Sequence, residues 1–543
     1  MNPPLIERTP SAYAYPLLIK QLLHTPLATA PDQEIVYRGQ VRHTYRDLAT
    51  RIGRLANALA GQGIAPGSTV AMMDWDSHRY LECFFAVPMM GAVLQTVNIR
   101  LSPEQILYTL NHARADVVIV NAEFLPVFEA IRSQLETVKT ALFISDDGQP
   151  VPPGFAGEYE ALLAAAAPDY DFPDFDENAR ATTFYTTGTT GLPKGVYFSH
   201  RQLVLHTLAV GLGLAAAPRQ GSLHRDDVYM PLTPMFHVHA WGLPYIATLL
   251  GVKQVYPGRY VPATILQLVE QEQVTFSHCV PTILHMLLLA PEGKAIDLSR
   301  WKLIIGGSAM TAGLARQARE RGIDVFTGYG MSETCPILTL AQIDDADLGE
   351  ADLPLRTKTG RPVPLVNLMT ADGELNPTPR DGKSVGEVVA RTPWLTQGYL
   401  HNPASSETLW AGGWLHTQDI GHIDARGYLQ VTDRIKDVIK TGGEWISSLE
   451  LEDLIARHPA VGEVAVIGVP DEKWGERPLA LVVLRAGQSL DADALRTHLK
   501  GYADQGVISR YGVPERIVFV SELAKTSVGK LNKRALREQY AAG

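Results

Sequence analysis

Cysteine is scarce in this chain. Three residues, Cys83, Cys279 and Cys335, are scattered over 543 positions. Such spacing makes neither a metal knuckle nor a disulfide framework, and it suits a reducing compartment. A basic excess is also missing. The net charge of −10 argues against a nucleic-acid binder. No run approaches the ~20 apolar residues that span a bilayer. Leu284-His-Met-Leu-Leu-Leu-Ala-Pro291 is short and ends at proline. Met1-Asn-Pro-Pro-Leu-Ile-Glu7 lacks a basic region followed by an apolar run, so a cytoplasmic protein is expected. Repeats and low-complexity segments are absent too.

What is present describes a globular protein, 46% hydrophobic and 20% charged. The length exceeds one core and predicts two or more domains. Helical and strand patterns alternate, the mark of an α/β fold. Leu48, Ile52, Leu55 and Leu59 make one helical stripe, ended by Gly61 and Gly63. Ser102 reads as an N-cap, with Pro103 at the first helical position and Gln105 closing a capping box. Val117–Val120 and Leu303–Ile305 read as buried parallel strands. After a short strand at 427–431 comes Asp433-Arg434-Ile435-Lys436, a charged connector that suits a solvated hinge or a plain polar loop. Beyond it a helix over 447–457 and strands over 461–469 and 479–484 predict a small α+β domain. The expected division is therefore 1–433 and 434–543.

Residues 185–196 carry the strongest chemical signal: Tyr-Thr-Thr-Gly-Thr-Thr-Gly-Leu-Pro-Lys-Gly-Val. Glycines let backbone amides approach an anion, and threonine hydroxyls and Lys194 add donors and charge. A loop between strands that wraps a polyphosphate is the expectation; an ordinary Gly/Thr turn is the alternative. It is not a Walker A loop, because Pro193 and Gly195 flank the lysine and no helix opens there. Gly328-Tyr-Gly-Met-Ser-Glu-Thr334 places an aromatic between glycines, able to present its ring to a flat base. A hydroxyl and a carboxylate follow, and a hard carboxylate oxygen suits Mg²⁺ beside phosphates. In Pro234-Met-Phe-His-Val-His-Ala-Trp-Gly242, His237 and His239 are two apart, so a strand would put both on one face. No third ligand cluster accompanies them, and a buried, satisfied histidine is the stronger expectation there than a metal.

Taken in chain order, these segments resemble the adenylate-forming superfamily of acyl-CoA synthetases, luciferases and peptide-synthetase adenylation domains. Trp414-Leu-His-Thr-Gln-Asp419, Asp433-Arg-Ile-Lys436 and Lys525-Thr-Ser-Val-Gly-Lys530 match further motifs of that family. The form Gly-Gly-Glu-Trp-Ile-Ser at 442–447 is similar to the bacterial medium- or long-chain fatty-acyl-CoA synthetase branch. The resemblance covers nearly the whole chain. It implies a large multi-subdomain N-terminal domain and a small mobile C-terminal lid.

The resemblance also implies roles. ATP contacts would come from Thr186, Thr187, Gly188, Thr189, Thr190, Gly191, Lys194, Gly307, Thr327, Gly328, Tyr329 and Ser332. Ribose would be met by Asp419 and Arg434, with Lys436 as pivot and Lys440 and Trp445 just beyond it. Mg²⁺ would be served by Thr186 and Glu333. His237 would lie beside the carboxylate and phosphates, Lys530 would stabilise the adenylating centre, and Trp241 with Val238 would gate the acyl tunnel. Gln418 stands where the family carries glycine, and Gln tolerates positive φ poorly.

The implied reaction joins a carboxylic acid to CoA through an acyl-adenylate, releasing AMP and pyrophosphate. A medium- or long-chain fatty acid is the first expectation for the acid. Alternatives are a short or thioether acid such as methylmercaptopropionate, or a stand-alone enzyme loading a carrier protein. A homodimer is implied by analogy.

Overall fold

The computed structural model describes residues 3–186, 192–218, 220–344, 349, 352–441, 444–525 and 531–540. Two large sheets carry the N-terminal part. The first runs in the order Thr140–Ile144, Val117–Asn121, Thr69–Met73, Val93–Thr96, Arg180–Thr186, Lys194–Ser199. Its strands are parallel except the last pair, an antiparallel hairpin. Strand Thr69–Met73 is buried at every position, as a strand covered on both faces must be.

The second sheet has a parallel centre: Asp324–Gly330, Lys302–Ile305, Phe276–Cys279, Val228–Pro231, Lys253–Tyr256 and Glu34–Tyr37. Antiparallel strands close both edges. The largest apolar core includes Phe84, Leu94, Phe184, Tyr245 and Ile246. In parallel sheets, ligands bind outside the carboxyl ends of the strands. The sequence places Asp76, Thr96, Met235, Gly306 and Tyr329 at or just beyond such ends.

An antiparallel sheet of Asn367–Ala371, Gly386–Arg391, Leu415–Ile423 and Leu429–Arg434 follows. The C-terminal part is a small α+β domain. Its central hairpin pairs Val461–Asp471 with Gly475–Leu484. Alternation along Val464–Ile467 sends Val464 and Val466 to one core with Leu451 and Leu495, and Ala465 and Ile467 to another with Leu536. No helix among the described residues is long and apolar enough to cross a membrane.

The expected elements are present. Tyr45–Gly61 buries the Leu48–Leu59 stripe, and Ser102 caps Pro103–Ala113 with Gln105 in a capping box. The connector differs from expectation. Strand Leu429–Arg434 runs through Asp433 and Arg434, and Asp433 is only 2% exposed. Its carboxylate accepts from the Ser448 N–H at 2.6 Å, at the start of helix Ser448–Ala456. A carboxylate at a helix N-terminus is electrostatically favourable, which explains why a charged residue is buried there rather than solvated.

Candidate active site

Two polar clusters meet between the N-terminal sheets and the antiparallel sheet. The first centres on Asp419, 4% exposed. It sits directly across the antiparallel pair from Arg434, whose Nε donates to its Oδ1 at 3.1 Å. The Tyr329 hydroxyl donates to Oδ2 at 2.7 Å. Burial, then the Asp419 charge, pushes the Tyr329 phenol well up. A phenol ring, a carboxylate and a guanidinium thus share one spot, a set able to meet a base and its ribose hydroxyls.

The second cluster centres on Glu333 in the short turn Ser332–Thr334. Its Oε1 accepts from the Tyr399 hydroxyl at 2.7 Å. The Lys194 ammonium lies 4.6 Å from the centre of the Tyr399 ring. Burial pushes the Glu333 carboxyl up, opposed by the Tyr399 hydrogen bond and the charges of Arg434 and Lys194. Thr186 and Lys194 face each other across the base of the hairpin, so the strand–loop–strand expectation holds at both flanks. Lys194, Tyr399, Ser405, Thr408, Leu409 and Gln418 line a small cavity of about 100 Å³. Gly330 beneath Glu333 tolerates no side chain: a Cβ would stand 1.6 Å from the Pro336 carbonyl oxygen.

The third region is apolar and built around an uncommon backbone. Val238, His239, Ala240 and Trp241 have φ of 49°, 54°, 48° and 58°. They form one turn of left-handed helix. Each non-glycine residue in that conformation costs roughly 1–2 kcal/mol, so four cost on the order of 4–8 kcal/mol. Their burial supplies the surroundings that such strain requires. The Trp241 ring lies 5.0 Å from that of His278. It also lies on Gly306, where a Cβ would come within 2.9 Å of the indole and 2.8 Å of the Gly328 carbonyl oxygen. Any larger residue at 306 would displace the indole.

These positions correct the strand expectation for the two histidines. His237, half-buried and extended at φ −99°, is the last residue before the turn. His239 turns into the core among Phe84, Phe184, Phe198 and Tyr245, with ring centres 5.3–6.3 Å away. Neither of its ring nitrogens has a hydrogen-bond partner, and burial holds the imidazole down at about 3. The turn prevents the common face a strand would have given. The expectation of a buried histidine holds for His239, but that of a satisfied one does not. No metal-holding group of three His, Cys, Asp or Glu exists among the described residues.

Residues 23–400 match the model of the AMP-binding enzyme family, and residues 450–530 match the AMP-binding enzyme C-terminal domain. The chain belongs to the AMP-binding enzyme family. It is 43% identical over 521 residues to a long-chain-fatty-acid–CoA ligase of Thermus thermophilus, covering 94% of this chain and 93% of that one. To a 3-methylmercaptopropionyl-CoA ligase of Ruegeria pomeroyi it is 37% identical, with 97% of both chains covered. A solved anthranilate CoA ligase in complex with anthranoyl-AMP superposes with a TM-score of 0.85, at 25% identity and 97% coverage of each chain.

Within this AMP-binding enzyme the other sequence-derived residues fall as follows. Thr327 is buried and its hydroxyl donates to the Lys358 carbonyl. Gly307 is exposed at φ 81°, and Gly328 and Ser332 are half-buried. Lys436 and Lys440 are exposed, and Lys440 pairs in register with Trp445. Thr187, Gly188, Thr189, Thr190, Gly191 and Lys530 lie outside the described residues. Gln418 adopts φ 60°, the conformation a glycine would take, with its N–H donating to Glu387 at 3.0 Å and its carbonyl accepting from Ile435 at 2.9 Å.

Tyr399, which links Lys194 to Glu333, escapes the sequence reading. Its only local signal is an aromatic between Gly398 and the Asn402-Pro403 helix start. The left-handed turn escapes too, because no glycine precedes Gly242 in it to mark positive φ.

Proposed function

We propose that this enzyme activates a medium- or long-chain fatty acid, with the nucleotide held by the Asp419 and Glu333 clusters and the acid passing Trp241. It is an AMP-forming acid–thiol ligase, an acyl-CoA synthetase that consumes ATP and CoA. The reading is supported by two contact sets, Tyr329–Asp419–Arg434 and Glu333–Tyr399–Lys194, linked by the charge of Arg434 acting on Glu333.

Asp419 and Arg434 would take the ribose hydroxyls, and Tyr329 would stack on the base. Lys194 and the loop that precedes it would hold the β- and γ-phosphates, so that pyrophosphate leaves into fixed positive charge. Glu333 with Thr186 would hold Mg²⁺. One buried carboxylate and one hydroxyl fit an ion bound chiefly by phosphate and water, not an all-protein cage. That ion would supply neutralisation of phosphate charge. Lys530 would orient the carboxylate against the α-phosphate, and catalysis of this step would be positioning and charge stabilisation.

A boundary at 433–436 divides 1–433 from 434–543 in this reading, and rotation there would clear Lys530 before the CoA thiol enters. Such motion keeps water from a hydrolysable adenylate. A homodimer in the cytoplasm completes the reading. Its competitor, a short thioether acid such as methylmercaptopropionate, draws on the closure of Trp241 over Gly306.

CoA-dependent AMP release, measured across saturated acids from short to long with aromatic and thioether acids alongside, tests the proposal. Highest kcat/KM on a C8–C18 acid is the expected outcome. A maximum on the thioether acid would transfer the assignment to the competitor. Release that requires a carrier protein in place of CoA would overturn both.

A further inference from the structure

The left-handed turn is a single short one. At its ends the Ala240 N–H donates to the His237 carbonyl at 3.2 Å and the Gly242 N–H to the His239 carbonyl at 3.0 Å. Backbone in a disfavoured region persists only where the surroundings fix it. On its C-terminal side the turn runs into helix Leu243–Leu250, anchored by the Tyr245 hydroxyl to the Phe84 carbonyl at 3.1 Å. On its N-terminal side the fixing groups come from the other sheet.

Strands Thr69–Met73 and Val93–Thr96 are parallel neighbours. Beyond the end of the first, Asp76 is 3% exposed; at the end of the second, Thr96 is 1% exposed. Asp76 Oδ1 accepts from the Met235 N–H at 2.8 Å. The Thr96 hydroxyl donates to the Phe236 carbonyl at 2.9 Å. Two side chains of one sheet thus take the donor of one residue and the acceptor of the next, immediately before His237. Asp76 is itself tied to the second sheet. Its Oδ2 accepts from the Tyr260 hydroxyl at 2.5 Å, and its carbonyl accepts from the Gly258 N–H at 3.0 Å. A carboxylate is spent here in full burial, a costly placement unless its hydrogen bonds matter to what they hold.

We propose that Asp76 and Thr96 are positioning residues for the acid: they clamp Met235 and Phe236 and so keep the left-handed turn that sets Trp241 on Gly306. The proposal rests on the reading that the acid passes Trp241. It makes a directional claim. The nucleotide contacts Asp419, Arg434, Glu333 and Tyr399 share no hydrogen bond with Asp76 or Thr96 among those described. Loss of the clamp should therefore change selection of the acid and leave ATP alone.

The test uses the full-length enzyme with Asp76→Ala, Thr96→Val, Asp76→Asn and, as a control, Trp241→Ala. Two measurements are made: amide hydrogen exchange of peptides covering 235–242, and kcat/KM for butyrate, octanoate and palmitate beside KM for ATP. Exchange in 235–242 should rise about tenfold in Asp76→Ala and Thr96→Val, the size of one lost buried hydrogen bond. The ratio of kcat/KM between palmitate and butyrate should shift at least about fivefold, with KM for ATP within about twofold. Asp76→Asn should restore both, because its amide oxygen still accepts from Met235. If Asp76→Ala does not fold, Thr96→Val and Asp76→Asn decide alone.

Unchanged exchange in Thr96→Val would overturn the clamp. So would an unchanged acid ratio in the clamp variants when Trp241→Ala shifts it, and the acid reading would then stand. If Trp241→Ala also leaves the ratio unchanged, the acid reading fails, and exchange alone judges the clamp.

Discussion

Around Asp419 and Glu333, proposed to hold the nucleotide, buried carboxylates are met by directed donors. Asp419 accepts from both Tyr329 and Arg434, and Glu333 accepts from Tyr399 beside Lys194. Around Trp241, where the acid is proposed to pass, the order is reversed. Val238–Trp241 hold a left-handed turn by burial, and His239 keeps two nitrogens without hydrogen-bond partners in an aromatic box. The first region is a set of directed polar contacts. The second is a strained turn enclosed by apolar packing. Polar contacts select by chemistry and show their loss as weaker nucleotide binding. Packing selects by shape, and each methylene of ligand changes the result by only about 1–3 kcal/mol.

The largest expected effect belongs to the lysine proposed for the adenylating centre. Lys530→Ala should lower acid-dependent pyrophosphate exchange by about 10²–10³-fold, the loss typical of one well-placed electrostatic donor. Conversion of preformed acyl-AMP to acyl-CoA should be largely spared. Equal loss in both half-reactions would remove Lys530 from the adenylating centre. Next in size is Asp419→Ala. Losing a charged acceptor of two hydrogen bonds should raise KM for ATP about 10- to 100-fold, with the acid profile unchanged. A profile that moves along with it would break the separation between the two sides.

That separation also decides what the amino-acid sequence makes legible. Tyr329, Glu333, Asp419 and Arg434 were legible because each stands in a motif that resembles the family's, not from residue type alone. The capping box at Ser102 and the stripe at Leu48–Leu59 were legible for another reason: local pattern and local structure agree. The hand of the turn at 238–241 was not. Val, His, Ala and Trp carry no positive-φ signal, and the groups proposed to fix the turn, such as Asp76, lie far off in sequence. The burial of Asp433 was not legible because its partners, the Lys533 charge and the N-terminus of helix Ser448–Ala456, come from distant sequence.

Trp241→Ala sharpens the comparison from the acid side. Removing the indole over Gly306 should change the palmitate-to-butyrate ratio of kcat/KM by about tenfold, while KM for ATP stays within about twofold. An unchanged acid profile would deny the gate.

Acid titration separates the buried imidazoles from the Glu333 carboxyl by sign. Burial holds His200, His206, His239 and His278 down at about 3, all neutral in the fold. The unfolded chain takes up protons below pH ~6.5, so their contribution is whole above that and lost as pH falls toward 3. Each adds a slope of ~1.4 kcal/mol per pH unit in that window. Glu333 runs the other way. Its carboxyl is raised by burial, so its contribution is whole below the ordinary glutamate range and lost as pH rises through its folded value. Calorimetric melting at pH 7 and pH 5 should show a smaller acid shift in His239→Asn than in the parent. Glu333→Gln should gain stability relative to the parent from pH 5 to pH 7. An unchanged shift in His239→Asn would mean that His239 is not held neutral.

The smallest effect tests whether the nucleotide side is as free of strain as its hydrogen bonds suggest. Gln418 at φ 60°, adjacent to Asp419, is one strained position there. Glycine there should relieve about 1 kcal/mol of left-handed strain and give back about 0.5–1 kcal/mol through a looser unfolded chain. Gln418→Gly should therefore leave stability within about 1 kcal/mol of the parent and KM for ATP within about twofold. Gln418→Val, β-branched, should cost about 1–2 kcal/mol and raise KM for ATP by turning the strand that carries Asp419. The side chain also lines the cavity beside Lys194 and Tyr399. A tenfold rise in KM for ATP with glycine, at unchanged stability, would mean that the glutamine amide itself meets the nucleotide, and that this position is held for contact rather than merely tolerated.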